Sequence, residues 1–471
     1  MTSAPTLASR LDALPGGWPV WRLIVLVSLG GCFEFYDLMM TAYISPGLVQ
    51  AGVFHTGKAG LFGQSDQAMF AAATFTGLFI GTLAFSRLAD RFGRRSVFTA
   101  SLIWYALATL AMACSSTALE LHVWRLVSGI GIGVELVTID AYVSEIAPAR
   151  LRGRAFALNQ AIQFTAVPLV ALACWILLPL SPLGIAGWRW VMLLGVSGAV
   201  AVWFIRARLP ESPRWLERQG HRADAERIVA ALEAASGAYS GAYSGASGAM
   251  VSSEQTPVGA DPGATAPEAA SGLREAFTPR YRRRTVMLVI FNIAQAIGFY
   301  GFGNWAPSLI AAQGHSVTHS LGYAFTIAAA YPLGPLLCLA IADRLERKTQ
   351  IMLAALCTAT LGLIFSTQSA PLALIALGVG VTLSNNLLSY AYHAYQAELY
   401  PTRMRAAAVG FVYAWSRLAT VFSSFIIAGL LAGFGTVGVF GFIAAAMAVV
   451  VLSVGLLGPR VSGRSLEALS D

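Results

Sequence analysis

The stretch LADRFGRRS at residues 88–96 is matched later in the chain by IADRLERKT at residues 341–349. Asp90 in the first copy lies 253 residues before Asp343 in the second copy. In both copies the charged residues stand between long apolar segments, so each copy is predicted to be a short loop that joins two helices.

The same spacing recurs in a second pair of stretches, SEIAPARLRGRA at 144–155 and AELYPTRMRAAA at 397–408. Glu145 and Glu398 are again 253 residues apart. Two independent matches at one offset indicate a unit that is used twice in the same orientation. The repeat therefore predicts two similar halves, each a bundle of six helices.

Hydropathy places these bundles in a membrane. The chain has 471 residues, of which 56% are hydrophobic and 11% charged, and its mean hydropathy is +0.66. In soluble domains, roughly a quarter of the residues are charged. Each apolar segment is near the ~20 residues that a spanning helix needs. The sequence predicts an all-α membrane protein with twelve transmembrane helices, at 20–44, 67–86, 96–114, 121–143, 155–180, 187–205, 285–310, 321–342, 350–367, 371–396, 407–432 and 435–457.

The repeat also divides the chain. Residues 1–207 are predicted to form the first bundle and residues 285–471 the second, with a linker at 208–284. Within the linker, residues 235–265 contain GAYSGAYSGASGAM and a Pro/Ala/Gly stretch, a low-complexity composition that predicts disorder. The preceding residues 210–232 are charged and have helical periodicity.

The distribution of positive charge predicts the orientation. The net charge is +8, and 27 of the 31 Lys and Arg residues fall in the tails and in the loops on one side of the predicted membrane. By the positive-inside rule, that side is cytoplasmic and carries both termini. The N-terminus has no cleavable signal pattern. The four basic residues that do not fall on that side are Lys58, Arg125, Arg189 and Arg417. We therefore expect a multi-pass inner-membrane protein with no nucleic-acid partner.

Motifs for an enzyme or a cofactor do not appear in the sequence. The five cysteines fall singly in apolar segments, without the spacing of a metal site or a disulfide framework. No nucleophile, metal or nucleotide motif stands out. We therefore expect neither enzymatic activity nor a bound cofactor or metal.

Several motifs together resemble the major facilitator superfamily. LADRFGRR at 88–95 is similar to that superfamily's loop between helices 2 and 3. RLVSGIGIGVE at 125–135, the E-x-x-P-x-x-x-R-G of 145–153 and PESPRWL at 210–216 resemble the branch shared by sugar porters and organic-ion transporters. The resemblance covers nearly the whole chain outside the linker, and it implies transport by rocking of two halves about a midplane site.

Within that branch the resemblance favours an organic-acid carrier. Gln295, Gly298 and Trp305 match only part of the sugar-porter pattern in helix 7. Residues 397–419 look like organic-anion and vitamin-acid carriers, and FEFYD at 33–37 resembles proton-coupled metabolite symporters. We expect a monomer that imports a small organic anion with protons across the lipid bilayer. A sugar or polyol symporter and a non-transporting membrane sensor remain alternatives.

Charges within the apolar segments are the candidate functional residues. A charge at the bilayer centre is costly, so intramembrane ionisable residues are functional candidates by default. Asp37 and Arg125 are both expected in the outer half of the membrane, where they could meet. Burial favours the neutral acid and a nearby guanidinium favours the carboxylate, so Asp37 could load and release a proton. The resemblance likewise matches Asp37 and Arg125 to a proton-coupling pair.

Three further acids lie in predicted helices. Glu34 is one turn inward of Asp37 and could face the same cavity, and Glu135 lies about 15 Å deeper than Arg125. Glu34 and Glu135 are candidates for passing the proton inward, or they are hydrogen-bonded neutral acids in the bundle. Asp140 is close enough to the cytoplasmic end of its helix to be a solvated carboxylate.

Arg417 is expected near the membrane midplane, and no acid of helices 10–12 shares its depth. Its guanidinium fork matches a carboxylate in two hydrogen bonds, which makes it the candidate ligand for the substrate acid. A partner on another helix is the alternative. Aromatic, amide and imidazole groups predicted around it suit a flat or hydroxylated acid, and these are Tyr413, Asn386, Tyr390, His393, Gln295, Asn292 and Tyr36.

The repeated loops are the candidate gate. Their opposite charges could pair when the cytoplasmic side is closed, and Gly93 permits a tight turn. Marking topology alone is the alternative role for these charges. The predicted gating residues are Asp90, Arg91, Gly93, Arg94, Glu145 and Arg152.

Overall fold

The structure is a computed structural model, and it describes residues 6–55, 60, 63–85, 91–206, 209–240, 274–341, 345–400 and 402–459. All regular structure in these ranges is helical. Seventeen α-helices, α1–α17, run Leu7–Ala13, Trp18–Gln50, Asp66–Phe85, Arg94–Cys114, Ala118–Ile146, Arg152–Phe164, Ala166–Leu177, Gly187–Arg206, Pro213–Arg218, Arg222–Ser240, Pro279–Gly303, Ala306–Ala312, Val317–Ala328, Leu333–Ile341, Arg347–Ser366, Pro371–Glu398 and Thr402–Leu457.

The described helices supply twelve membrane-spanning segments. Ten are long and apolar enough to be recognised by length and composition, with α6–α7 and α13–α14 each forming one segment. The segment at the end of the chain is two spans, and α3 with 20 residues completes the set. The predicted fold class is confirmed.

The helix α17 contains the last two spans. It has 56 residues and would be about 84 Å long if straight, far more than the ~30 Å hydrocarbon core. Gly435, with φ 63° and ψ −159°, breaks it. The Lys348 amine donates to the carbonyl oxygens of Gly455 and Gly458 at 2.8 and 2.9 Å, so the second span returns to the side on which the first began.

The two sides of the molecule differ in charge. We call the side that carries Arg94, Arg150 and Arg347 the arginine-rich face, and the side that carries Gln67 and Ser308 the opposite face. On the arginine-rich face the short helix α1 is tied to α10, because the Arg10 guanidinium donates to both carboxylate oxygens of Glu233 at 2.9 and 2.6 Å. This hydrogen bond lowers the pKa of the Glu233 carboxyl.

Small residues let α3 and α5 approach closely. Gly77 and Gly81 of α3 face Gly129 and Gly133 of α5, and a Cβ added at Gly129 would lie 2.5 Å from the Thr74 carbonyl oxygen. Small-residue interfaces of this kind are a common means of packing helices in lipid. The close approach brings the side chains of Thr74 and Arg125 together across the interface.

Substituting Gly129→Ala is expected to separate α3 from α5 and to destabilise the protein by about 1–3 kcal/mol, because the obstructing atom is backbone and cannot rotate away. The measurement is the unfolding midpoint of purified protein in a denaturing-detergent titration. Gly441→Ala is the matched control, since nothing lies within 4 Å of its added Cβ. Equal midpoints for the two variants would show that the contact does not limit packing.

Several predicted spans differ from the observed helices, and the span predicted at 321–342 is interrupted between Ala328 and Leu333. The first span continues past residue 44 to Gln50, with Pro46 inside the helix. The predicted single helix at 285–310 is interrupted after Gly303, where α12 begins at Ala306. In the linker, residues 235–240 extend α10 instead of starting the low-complexity segment; the rest of that segment lies outside the described residues.

Candidate functional site

A cavity of about 490 Å³ lies between the first six spans and the last six. It reaches the arginine-rich face, since Asp140, Gly153 and His393 on its wall are exposed. The wall consists of Phe35, Leu38, Asp140, Gly153, Phe156, Asn159, Gln160, Gln163 and Phe164 from the first half and Gln295, Phe299, Tyr300, Ser389, Tyr390, Tyr392, His393, Ala394, Gln396, Val409, Tyr413 and Arg417 from the second.

On the opposite face the two halves meet. The side chains of Gln67 and Ser308 exchange hydrogen bonds of 2.8 and 3.0 Å. The rings of Trp175 and Phe325 stack with centroids 5.8 Å apart. The structure is therefore closed at the opposite face and open at the arginine-rich face.

Arg417 is the buried cation of the cavity wall, with 5% of its surface exposed. Its guanidinium donates to the hydroxyl oxygen of Tyr300 and, at 3.0 Å, to that of Tyr413. It also lies over both rings, 5.6 and 4.9 Å from their centroids. In the described part of the chain no carboxylate is within ion-pair distance of Arg417. Among the described residues, the partners of this guanidinium are phenols and none is anionic.

Aromatic rings form much of the wall between the halves. Phe164 of the first half lies 5.1 Å from Phe35 and 6.4 Å from Phe299 between ring centroids. Phe299 in turn contacts Tyr300 at 5.1 Å. These rings present flat apolar surface next to the hydroxyl groups that bind Arg417.

A polar row on α6 faces the aromatic wall. The Gln163 amide donates to Asn159 at 3.2 Å, and the Asn159 amide donates to the Asp140 carboxylate at 3.5 Å. Gly31 of α2 leaves the space for Gln163, because a Cβ there would lie 2.7 Å from its side-chain nitrogen. The cavity therefore has a cationic end, an apolar middle and an amide row.

Asp37 and Arg125, which the depth argument places within reach of each other, form a buried ion pair at 2.8 Å. The Asp37 carboxylate also accepts hydrogen bonds of 2.8 Å from Thr109 and Ser128. Exposed fractions of 2% for Asp37 and 0% for Arg125 exclude water from the pair. The pair lies outside the cavity wall.

Arg125 makes three further hydrogen bonds. Its guanidinium donates to the main-chain oxygen of Asp37, to that of Leu38 at 3.3 Å and to the Thr74 hydroxyl at 3.0 Å. Thr74 is followed on α3 by Phe75, whose ring contacts the Tyr300 ring at 4.6 Å. Consecutive residues of α3 thus contact Arg125 and the tyrosine that binds Arg417.

The predicted ligand residues divide into two groups. Gln295, Tyr390, His393, Tyr413 and Arg417 line the cavity.

Asn292, Asn386 and Tyr36 do not line it. Their side chains donate to the main-chain oxygens of Leu288 at 2.8 Å, Tyr331 at 3.2 Å and Val191 at 3.0 Å, respectively. They therefore support helix packing around the cavity.

The two further predicted proton-binding acids are buried but lie outside the cavity wall. Glu34 is 1% exposed and Glu135 is 0% exposed. The Ser101 hydroxyl donates to the Glu135 carboxylate at 3.4 Å. Both acids lie on the helices that carry the Asp37–Arg125 pair.

The predicted gating residues form contacts at the arginine-rich face. Arg94 pairs with Glu145 at 3.1 Å, and Gly93 adopts φ 93°. The Arg94 main-chain N–H donates at 3.0 Å to Glu211, a residue that was not among the predicted gating residues.

Of the other predicted gating residues, Arg152 pairs with Asp12 at 3.7 Å rather than with Glu145. Arg91 lies 5.2 Å from the ring of Phe92. Asp90 lies outside the described residues.

Comparisons with known proteins agree with this architecture. The chain is 28% identical over 465 residues to YyaJ of Bacillus subtilis (strain 168), which carries a metabolite-transport name, with 98% of this chain and 96% of the relative covered. It is 26% identical to the niacin transporter NiaP of Acinetobacter baylyi (strain ATCC 33305 / BD413 / ADP1), covering 98% and 99%. It is 27% identical to a gallate transporter of Pseudomonas putida, covering 86% and 84%.

Among solved structures, the fold is similar to a partially occluded inward-open form of the xylose transporter XylE from E. coli. The TM-score is 0.74 at 18% identity, with 95% of this chain and 99% of the other covered, so this likeness concerns the fold. The sequence model of the family described as "Sugar (and other) transporter" matches residues 23–471. The predicted membership in the major facilitator superfamily is thereby confirmed, and the chain belongs to the Sugar (and other) transporter family, as a multi-pass membrane transporter and not an enzyme.

Proposed function

We propose that this protein imports a small aromatic carboxylate together with a proton by alternating access. The observation that carries the proposal is Arg417, a buried guanidinium on the cavity wall that has no carboxylate partner in the described part of the chain. A buried charge without a counter-charge is costly. A substrate carboxylate would supply the anion, in the planar geometry that the guanidinium fork matches.

The rest of the wall favours an aromatic acid. Phe35, Phe164 and Phe299 provide flat surfaces for a ring, and offset or edge contacts with a ring add to simple burial. Asn159 and Gln163 can bind a hydroxyl group or a ring nitrogen of the substrate. Niacin and gallate, which two relatives carry in their names, are both aromatic acids.

The Asp37–Arg125 pair is the proposed proton-coupling site. In this structure the carboxylate accepts three side-chain hydrogen bonds, which suits its charged form. A proton on Asp37 would remove the ion pair, and the release of Arg125 would let α3, which Arg125 holds through Thr74, shift. Glu34, one turn away on α2, and Glu135 are the proposed onward acceptors toward the arginine-rich face.

In this proposal, helix α3 couples protonation of Asp37 to substrate binding at Arg417. Thr74 binds Arg125, and the adjacent Phe75 packs on Tyr300, which binds Arg417. A shift of α3 after protonation of Asp37 would therefore reach the substrate arginine through two contacts. Both sites influence the position of α3, and a shared element of this kind is the physical requirement for coupling between two sites.

We further propose that the arginine-rich face is cytoplasmic, since 27 of 31 basic residues belong to that side in the predicted topology. In this proposal the protein is a monomer in the inner membrane, with both termini inside. Since Arg94 and Glu145 are paired while this face is open, we propose that their contact holds α4 against α5 in the open state.

A ligand-dependent thermal-shift series on purified protein tests the substrate class. Niacin, benzoate and gallate are expected to raise the unfolding temperature, because a ligand at 100 times its Kd stabilises the folded state by about 2.7 kcal/mol. Nicotinamide, which keeps the ring but lacks the carboxylate, is the matched control and is expected to have no effect. Stabilisation by xylose but by none of the three acids would contradict the proposal in favour of a sugar or polyol symporter.

A further inference from the structure

A second buried group of titratable side chains lies near the opposite face. Asp66, at the start of α3, is 1% exposed and stands between two imidazoles. One carboxylate oxygen is 3.1 Å from His55 Nδ1 and accepts from the His55 main-chain N–H at 2.8 Å. The other is 3.3 Å from His122 Nε2. Side-chain exposure falls from 60% at His55 to 5% at His122, so the group runs from the surface inward.

His122 contains a buried atom that helix packing does not explain. Its Nδ1 has no hydrogen-bond partner within the described residues. The ring lies between Phe54 and Phe70, at centroid distances of 5.6 and 6.1 Å. A buried polar atom without a partner is destabilising. An imidazole ring that accepts a proton at one nitrogen and gives it up at the other makes use of such an atom.

Helix periodicity aligns this group with the Asp37–Arg125 pair. Asp66, Phe70 and Thr74 are four residues apart on one face of α3, and His122 and Arg125 are three apart on α5. The Phe70 ring, 6.1 Å from His122, is also 5.5 Å from the Arg125 guanidinium. Phe70 therefore separates the two polar groups with an apolar ring.

Charged neighbours around His122 come from every element packed against it. Asp66 faces it from α3, and His55 of the preceding loop is bound to Asp66. Arg125 is one turn along α5, and Asp37 of α2 is bound to Arg125. Glu120 is turned away, because its carboxylate accepts from the main-chain N–H groups of Ser116 and Thr117.

We propose that His55, Asp66 and His122 form the outer proton-collecting site that loads Asp37, with Phe70 as the barrier between them. This inference rests on the proposed proton coupling. A proton from the medium binds at His55 and Asp66 and passes through the His122 ring. When the Phe70 ring turns aside, the proton leaves a nitrogen of the His122 ring, is relayed by a water molecule from the medium and forms an O–H bond on Asp37, which breaks the ion pair with Arg125. The next proton from the medium restores the outer group, so charge and protons balance.

The test follows protonation of Asp37 in reconstituted full-length protein, by time-resolved infrared detection after a drop in outside pH and without substrate. The Asp37 carboxyl band is the one that Asp37→Asn removes. His122→Gln is expected to slow its appearance by about tenfold, since positioned acid–base groups contribute at least that much. Adding Phe70→Ala to His122→Gln is expected to restore the rate, because water then reaches the pair. His319→Gln, an exposed histidine at the start of α13, is the matched control.

Each outcome separates the two proposals. An Asp37 band that appears at the wild-type rate in His122→Gln would overturn the proton-collecting site while leaving Asp37 as the coupling residue. A slowed rate that Phe70→Ala fails to restore would overturn the route past Phe70. Absence of any Asp37 protonation in the wild-type protein would overturn the proposed coupling site itself, and the collecting site with it.

Discussion

Replacement of Asp37 by asparagine is expected to abolish proton-driven accumulation of the substrate while exchange across the membrane continues. The amide has nearly the size of the acid and resembles its protonated form, so the cavity still binds substrate. It cannot release a proton, which removes the link to the gradient. Exchange of internal for external substrate needs no net proton movement and is expected to survive at least in part.

The measurement compares uphill uptake with exchange in proteoliposomes under an imposed pH gradient. With one proton per monoanion, a gradient of about one unit supports about tenfold accumulation, because a tenfold ratio corresponds to 1.4 kcal/mol. Asp37→Asn is expected to give none. Continued accumulation by the variant would place the coupling site elsewhere, with Glu34 the next candidate. Loss of exchange together with binding would make Asp37 a substrate or packing residue.

Truncation of Arg417 to alanine is expected to weaken carboxylate binding by at least about thirtyfold, since removing one partner of a buried charged hydrogen bond costs about 2–5 kcal/mol. Arg417→Lys is expected to recover little, because an ammonium cannot make the planar two-bond contact. Binding is measured by equilibrium titration with the acid that gives the largest thermal shift.

Arg189 offers the control for this pair of variants. It is an arginine on α8 that donates to the Ala113 main-chain oxygen and stacks on Trp188 at 4.4 Å, away from the cavity wall. Arg189→Lys is therefore expected to bind normally. Wild-type binding by Arg417→Lys would remove the guanidinium fork from the mechanism, and wild-type binding by Arg417→Ala would remove Arg417 from the site.

Hydropathy and the internal repeat were sufficient to predict the number of membrane-spanning helices and their division into two halves. The span length needed in lipid leaves few alternatives, which is why even the break at Gly435 falls at the predicted boundary between the last two spans. The interruption after Gly303 was not predicted, although Pro307 stands in the first turn of α12, a position that proline favours at helix starts.

The site was predictable where charge and depth suffice. Arg125 and Asp37 could be placed together because few charges lie so deep in the membrane. The rotation of a helix about its own axis was not predictable, and it decides that Gln295 lines the cavity while Asn292 packs against its own helix. Tyr300, whose hydroxyl accepts a hydrogen bond from Arg417, was not among the predicted site residues.

Uncharged polar residues of the cavity were the hardest to recognise as functional from the sequence. Asn159 and Gln163 lie on an ordinary spanning helix, where amides more often support packing.

Asp66 and His122 lie near helix ends, where a charge is expected to be solvated. Their burial arises from the close contact of α3 and α5, which depends on glycines at matching depths in two helices far apart in sequence.

Proton movement with the substrate is the most direct test of the coupled mechanism. Proteoliposomes that enclose a pH-sensitive dye receive the identified acid outside, with no gradient imposed. Protein-free liposomes that receive the same acid give the baseline. Wild-type protein is expected to acidify the lumen as the acid enters, and Asp37→Asn is expected to leave the lumenal pH at the baseline. Substrate uptake by the wild-type protein with no lumenal acidification above that baseline would contradict proton-coupled import.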